Sequence, residues 1–363
     1  MDFELSDDQL ALREGARELL DGLAAPAQVR AVVEVGGGFD ADLWRAMVDQ
    51  GWLGVAMPEA EGGLGLGWVE VAVLLEEVGR HAAPAPFLST LLALDAAARG
   101  DDAAPARALL SGSAIGCVAW SRAPGAVRAE EARGRIWSLT GRPDPVPYAP
   151  SAAFAIVVAE TADGPALFSV DLGDVASPAR EPAMDQTREL GWLELERTAA
   201  RRLGGADAVA ALVDRGALGA SAEMLGGASR VLEMAVEYAK DRVQFGRPIG
   251  SFQAVKHRCA DMLVDVEGMR STVYWAAWCI GAGDPDTSVA ASTAKVWCSD
   301  AAKRVMASGL QVHGGIGFTW EHDLHLFMKR SQLDQLGFGD AVYHRERLAA
   351  LLRPRVEAGE SVI

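Results

Sequence analysis

The chain has 363 residues, of which 50% are hydrophobic, and its formal net charge at pH 7 is −16. This length predicts two or three domains, and the acidic balance argues against nucleic acid as a partner. No apolar run reaches the roughly 18 residues that a membrane span needs, and the acidic start MDFELSDDQ is unlike a signal peptide. The sequence therefore predicts a cytoplasmic protein with no membrane partner.

The four cysteines indicate neither a zinc site nor a disulfide framework. No pair among them has CxxC spacing, and reduced, buried thiols are expected. The positions are Cys117, Cys259, Cys279 and Cys298.

The first 112 residues have the pattern of helices joined by Gly and Pro breaks. Phe3, Leu10, Arg13 and Leu19 open a predicted amphipathic helix, and further helices are predicted over 43–52 and 69–78. The four glycines in 58–67 predict a loop between the last two helices.

The pattern changes after residue 112. Short segments rich in β-branched and aromatic residues, separated by turn formers, predict strands over 114–120, 135–140, 154–159 and 166–171. This predicts three domains, namely helical 1–112, a small β domain over 113–205 and helical 206–363. The run RTAARRLGGAD, residues 197–207, is predicted to connect the last two, and the long periodic helices after it predict an antiparallel bundle.

A break between two long helices is the most distinctive feature of the last domain. The proline-free run 219–238 predicts one uninterrupted helix, and Gly246 and Pro248 predict a turn after it. Ser251 is the predicted N-cap of the next helix. An apolar stripe at helical spacing follows on that helix: Val255, Cys259, Met262, Val266, Met269 and Val273.

Two stretches in this domain contain residue types suited to binding a phosphate. Arg242 lies near Phe245 in the break, and a guanidinium binds phosphate oxygens in bidentate fashion. The run QVHGGIGFT, residues 311–319, places three glycines beside Gln311, and glycine permits positive φ and a close approach of backbone to a ligand. An ordinary surface corner between two helices is the alternative.

These two stretches resemble the carboxy-terminal signature of the flavin-dependent acyl-CoA dehydrogenases. DFELSDDQLALREGARELL resembles the first helix of that family, and the runs GWLGVAMPEAEGGLGLG and DQTR resemble two further motifs. The segment 117–150 fits poorly. The resemblance implies a mostly α fold with an N-terminal helical domain, a small middle β-barrel domain and a C-terminal antiparallel four-helix bundle.

The resemblance also implies FAD as cofactor and acyl-CoA as substrate. In this family the carboxy-terminal bundle of one subunit reaches the FAD of its neighbour. Arg242 would meet the pyrophosphate, Phe245 would pack on the flavin or adenine, and Gln253 would bond the adenine-ribose end. Gln311 would close round the phosphates with Gly314 and Gly315.

Two features depart from the family pattern. The middle-domain segments that contact the flavin ring are replaced by WSRAPG and by a proline-rich run at 143–150, which predicts that the isoalloxazine half of the site is missing. The family places its catalytic glutamate at one of two positions, which here hold Phe338 and Gly216. The catalytic base is therefore unknown. Asp340 is a weak candidate, with Asp214 and Glu223 as others, and the expected role of Asp340 is instead to cap or solvate the turn before the helix over 341–352.

No metal site is expected from His322, His325 and His344, because no third ligand follows at a convincing spacing.

Half a cofactor site implies a partner, and the chain resembles the subunits without a base in heterotetrameric bacterial acyl-CoA dehydrogenases of steroid side-chain degradation. The leading hypothesis is such a subunit, paired with a second acyl-CoA dehydrogenase subunit. The alternatives are a self-sufficient homo-oligomeric flavoenzyme with a displaced acid or an altered reaction, and a non-catalytic scaffold that lost the cofactor.

Overall fold

The computed structural model describes residues 4–100, 102–132 and 136–360, so Phe3 of the first predicted helix and Arg135 of one predicted strand lie outside the described residues. The helices are α1 (Asp7–Leu23), α2 (Pro26–Glu34), α3 (Ala41–Asp49), α4 (Trp68–Arg80), α5 (Phe87–Arg99), α6 (Ala103–Leu110), α7 (Ala206–Asp241), α8 (Gln253–Ala282), α9 (Thr287–His313), α10 (Leu324–Leu336) and α11 (Ala341–Glu357). The strands are β1 (Gly116–Ala119), β2 (Val127–Glu131), β3 (Ile136–Gly141), β4 (Val146–Pro147), β5 (Phe154–Thr161), β6 (Gly164–Asp171), β7 (Arg180–Glu181), β8 (Leu190–Gly191), β9 (Leu195–Gly204), β10 (Val243–Gln244) and β11 (Arg247–Pro248).

The chain forms two compact units. The first contains the described parts of 1–27, 68–83 and 217–363, and the second contains those of 28–67 and 84–216. Helices dominate the first unit, and all strands except the short pair β10 and β11 lie in the second. The three-domain boundaries at 112 and 205 stay a prediction.

Five strands of the second unit close into a small barrel. β5 pairs with β2 and β6, β6 with β9, β9 with β3, and β3 with β2, so the hydrogen-bonded ring has no gap, while β1 adds to β5 in parallel. Its interior is apolar and includes Val127, Leu139, Val157 and Phe168. The predicted small middle barrel is confirmed.

The prediction that 197–207 connects two domains is wrong. Most of this segment belongs to β9, which pairs with β3 and β6, and its last residues already belong to α7, which begins at Ala206. Leu195 and Ala200 are the strand's buried residues, whereas its arginines face outward. The hydrophobic alternation that reveals a strand is therefore weak here.

The first helix is specified locally at its start. Ser6 Oγ accepts a hydrogen bond from Gln9 N at 3.3 Å, and Gln9 Oε1 accepts one from Ser6 N at 3.0 Å. This reciprocal capping box satisfies two backbone donors that a helix start would otherwise leave unpaired. Further along α1, Arg17 forms a bidentate pair with Glu77 of α4, at 2.6 and 3.1 Å.

Helices α4 and α7 approach each other at two glycines. A Cβ atom at Gly226 would lie 1.8 Å from the carbonyl oxygen of Glu76, and one at Gly79 would lie 2.0 Å from that of Glu223. Since no side chain fits at either position, the two backbones are in contact.

The predicted bundle in the last part of the chain is confirmed. Helix α9 packs against both α8 and α11, and α7 meets α9 where Val231 lies against Gly309. The uninterrupted helix predicted over 219–238 lies inside α7. The apolar stripe faces inward on α8 from Met262 to Val273.

The predicted N-cap at Ser251 is wrong. Ser251 ends a short 3₁₀ turn, and α8 begins after Phe252, which supplies no side-chain cap. The Phe252 ring instead packs at 6.0 Å from the Phe245 ring and lies 4.2 Å below the Arg247 guanidinium.

None of the helices in the described ranges is long and apolar enough to cross a membrane.

Candidate functional site

The break between α7 and α8 is a two-residue hairpin. Strands β10 and β11 pair on either side of Phe245 and Gly246, which have φ of 54° and 76°. Two successive positive φ values are what a type I′ turn requires, although a bulky aromatic rarely adopts one. The Phe245 ring is 92% exposed at the tip of this hairpin.

Three polar side chains predicted to bind the cofactor are exposed and unengaged. Arg242, Gln253 and Gln311 form no side-chain hydrogen bond or ion pair within the described part of the chain. A guanidinium and two amides are thus available to an external ligand.

The glycine-rich turn after α9 lies at the same end of the bundle as this hairpin. The His313 ring at the end of α9 stacks on Tyr238 of α7 at 4.9 Å, one turn before Arg242. Gly314 has φ of 62°, and an added Cβ would meet nothing within 4 Å at Gly314 or Gly315. The structure therefore brings the two predicted phosphate-binding stretches together and leaves open space beside the glycines.

Exposed apolar side chains follow the same turn. Ile316, Phe318 and Trp320 are exposed, as is Phe245. A cluster of apolar surface next to unengaged polar groups is typical of a binding surface. We call this region, comprising 242–253 and 311–320, the bundle corner.

The segment from Gln335 to Asp340, which holds the family's first base position, is fixed by buried side chains. Lys295 of α9 is fully buried, and its Nζ donates to Gln335 O at 2.9 Å and to Gly339 O at 2.7 Å. Burial lowers the pKa of Lys295 to about 8, against an opposing effect of Asp334. Phe338 has φ of 55°, a costly backbone conformation for an aromatic residue.

Two residues at the start of α11, the N-cap Asp340 and His344, also fix this segment. His344 Nε2 donates to Phe338 O at 2.9 Å, and burial lowers the pKa of His344 to about 3, so the ring is neutral at pH 7. Asp340 is the N-cap of α11, since its carboxylate accepts from Tyr343 N at 2.8 Å. This is the capping role that the sequence offered as the alternative to a catalytic one.

The second base position and its neighbours lie on α7. Gly216 is within the helix, and Asp214 and Glu223 are buried on it. The Glu223 carboxylate lies 3.5 Å from Arg330, which also donates to Ala83 O at 2.9 Å. Glu223 is thus committed to a buried ion pair.

The proline-rich segment in the place of the family's flavin-contacting run is packed into the second unit. β4 pairs with β8, and Val146 is buried. The buried Tyr148 has φ of 61°, and its hydroxyl donates to Ala85 O at 2.9 Å. Side chains that pack inward in this way leave little for a ligand to contact.

The histidines considered for a metal site have other contacts. His322 Nδ1 accepts from Leu324 N at 3.2 Å, and the His325 ring packs at 4.8 Å from Trp320. Within the described residues, no group of three His, Cys, Asp or Glu side chains could hold a metal ion.

Comparison with known proteins shows the family. The chain matches the acyl-CoA dehydrogenase N-terminal domain over residues 6–109 and the acyl-CoA dehydrogenase C-terminal domain over residues 204–352. It is 36% identical to acyl-CoA dehydrogenase IpdE2 of Mycolicibacterium smegmatis over 90% of this chain and 93% of that protein. The chain belongs to the acyl-CoA dehydrogenase family, whose members are FAD-dependent oxidoreductases acting on CH–CH groups.

Two similar solved structures are each described by the names of two proteins. The ChsE4–ChsE5 complex from Mycobacterium tuberculosis matches with a TM-score of 0.90 and 33% identity, over 97% of this chain and 99% of that chain. A variant of the Tcur3481–Tcur3483 steroid acyl-CoA dehydrogenase matches with a TM-score of 0.89 and 34% identity, over 97% and 99%.

Sequence reasoning missed the buried lysine behind the Phe338 segment. One signal was present, because Lys295 occupies the apolar face of α9 at helical spacing from Ala291, Cys298 and Ala302, all buried. A lysine on such a face needs buried acceptors.

Proposed function

We propose that this chain is the subunit without a catalytic base in a heteromeric, FAD-dependent acyl-CoA dehydrogenase that desaturates the α,β bond of an acyl-CoA thioester. The observation that carries the proposal is a contrast within the chain. Both family positions of the base, Phe338 and Gly216, lack a carboxylate, while the bundle corner keeps its unengaged polar side chains.

The bundle corner fits the adenosine diphosphate part of FAD. In this proposal Arg242 binds the pyrophosphate, Gln311 closes round the phosphates beside Gly314 and Gly315, and Gln253 bonds the adenine-ribose end. Phe245 packs on the flavin or the adenine, since its ring is exposed at the tip of the hairpin. When bound, FAD accepts a hydride from the acyl β-carbon.

The second subunit supplies what this chain lacks. Removal of the acyl α-proton needs a base within hydrogen-bonding reach, and the best local candidate, Asp340, is engaged as a helix cap. The inward packing of Val146 and Tyr148 supports a division in which the isoalloxazine lies in the partner. Because this chain and its partner then share one cofactor, neither is complete alone.

A steroid-linked acyl-CoA is the proposed substrate class. The relatives that support it include one described as a steroid acyl-CoA dehydrogenase and one described as a two-protein complex. The same relatives support a heterotetramer with a second acyl-CoA dehydrogenase subunit in preference to a self-sufficient homo-oligomer or a scaffold.

We expect Arg242→Ala to weaken FAD binding by the heteromeric complex by about 10- to 150-fold, since a hydrogen bond to a charged group contributes about 1.5–3 kcal/mol. The measurement is the FAD dissociation constant of the co-purified complex, determined by flavin fluorescence after deflavination. Arg353→Ala is the matched control, because Arg353 is exposed on α11. Equal FAD affinity in both variants would show that the bundle corner does not contact the cofactor.

A further inference from the structure

A cavity of about 410 Å³ lies in the first unit, and its lining residues belong neither to the bundle corner nor to the Phe338 segment. Its walls come from α1, α4, α7 and α8 and include four arginines: Arg13, Arg17, Arg80 and Arg270. The volume lies in the range of small-molecule sites. The proposed function uses none of these residues.

The Glu76 and Glu233 carboxylates that line this cavity are both paired with arginines. Glu76 accepts from Arg270 at 2.5 Å and from the Tyr274 hydroxyl at 2.7 Å. Burial and the Glu76 charge raise the pKa of Tyr274, so its hydroxyl stays protonated and donates. Glu233 forms a bidentate pair with Arg80, with both distances 2.6 Å.

The remaining acids are engaged as well. Glu77 is buried and paired with Arg17, and Glu4, which lines the cavity, has an interaction elsewhere. These pairs join α1 to α4, α4 to α7 and α4 to α8. The walls are therefore held in place before any ligand arrives, which lowers the cost of binding one.

Two polar groups lining the cavity are left without a protein partner. Among the described residues, Arg13 forms no hydrogen bond or ion pair. The Ser229 hydroxyl oxygen is buried and also has no hydrogen-bond partner. Arg13 comes from α1 and Ser229 from α7, so an unpaired guanidinium and an unsatisfied hydroxyl line one cavity from two helices. A buried polar group without a partner calls for an explanation, such as a ligand.

We propose that this cavity binds a small anionic molecule, whose phosphate or carboxylate group is held by Arg13 and by the hydroxyl of Ser229. A guanidinium and a hydroxyl are both donors, which suits an acceptor-rich oxyanion. The cavity is larger than one such group, and Leu5 and Leu10 add apolar lining. The anionic group is therefore part of a larger organic molecule. A ligand that contacts α1 and α7 together stabilises the folded unit by mass action.

The probes are phenyl phosphate, inorganic phosphate and phenol, titrated against the purified protein while its melting temperature and binding heat are recorded. We expect saturable binding of phenyl phosphate and no binding of phenol. The protein should carry Arg242→Ala in one series, so that phosphate binding at the bundle corner is separated from binding in the cavity. Tighter binding of phenyl phosphate than of inorganic phosphate supports an organic ligand, and equal affinities support the free ion as the occupant of the same site.

Two variants decide whether this binding occurs in the cavity. Arg13→Gln should weaken it by about 10- to 150-fold, and Ser229→Ala by about 2- to 10-fold, as expected for a charged and a neutral hydrogen bond. Arg353→Gln, on the exposed face of α11, should leave it unchanged. Because Arg13 pairs with no described carboxylate, its removal leaves no acid unpaired there, and an unchanged melting temperature without ligand would confirm folding. Absence of saturable binding, or equal binding by the Arg13 and Arg353 variants, would overturn the proposal.

Discussion

Lys295→Met is expected to lower the free energy of unfolding by about 3–5 kcal/mol, the usual cost of removing one member of a buried charge network. The methionine fills a similar volume but cannot donate to Gln335 O or Gly339 O, which the Lys295 ammonium does at 2.9 and 2.7 Å. It also removes the positive charge that attracts the buried Asp334 carboxylate. The measurement is denaturant unfolding of the purified protein at pH 7.5.

Lys303→Met is the matched control for this prediction. Lys303 lies on the same helix but is exposed, so its replacement should change stability by less than about 0.5 kcal/mol. Similar losses in the two variants would contradict a special role for the buried lysine.

Lys295→Met should also remove a dependence of the free energy of unfolding on pH. Because burial lowers the pKa of Lys295 to about 8 from an ordinary 10.5, the unfolded chain binds this proton between those values and the folded chain does not. The stability of the wild type therefore rises with pH in that window relative to Lys295→Met, by up to about 1.4 kcal/mol per pH unit. Below pH 8 Lys295 makes stability no more dependent on pH. Parallel stability profiles of the wild type and Lys295→Met between pH 8 and 10.5 would contradict the lowered pKa of Lys295.

Gly226→Ala is expected to destabilise the first unit by about 3 kcal/mol or more, at or above the upper end of ordinary overpacking. The added methyl group would lie 1.8 Å from the Glu76 carbonyl oxygen, which is backbone and cannot rotate away. Helices α4 and α7 would have to separate, and that would strain the Arg80–Glu233 pair between them.

The neighbouring glycine provides the control for Gly226. A Cβ at Gly227 would lie 3.6 Å from its nearest atom, an ordinary contact, so Gly227→Ala should be neutral or stabilising by up to about 1 kcal/mol through helix propensity. Thermal unfolding of both variants tests the pair. A loss at Gly227 as large as that at Gly226 would show that the crossing tolerates no change at all, and no loss at Gly226 would contradict the contact.

The parts of the fold that sequence reasoning predicted are those with local signals. The turn at Gly246 and Pro248, the long helices and the regular barrel strands each depend on turn residues or on hydrophobic periodicity. The bundle corner could be predicted for the same reason, because Arg242 and the glycines after His313 lie next to helix ends that the chain itself specifies.

The parts that were missed depend on tertiary contacts. β9 is stabilised by its neighbours in the barrel despite its outward arginines, so its own pattern is weak. Lys295 and Gln335 are far apart in sequence, and Arg13 and Ser229 line one cavity from different helices. No spacing within a single element could have revealed these pairs.

The most direct test of the proposed function is the ratio of bound FAD to protein in this chain purified alone, and again after co-expression with a second acyl-CoA dehydrogenase subunit as candidate partner. We predict a colourless or inactive lone chain, and a yellow tetramer with the partner whose flavin absorbance is bleached by acyl-CoA. A lone chain that is already a yellow, active homotetramer would contradict the account, and Asp340, Asp214 and Glu223 would then be the residues to mutate in search of the base.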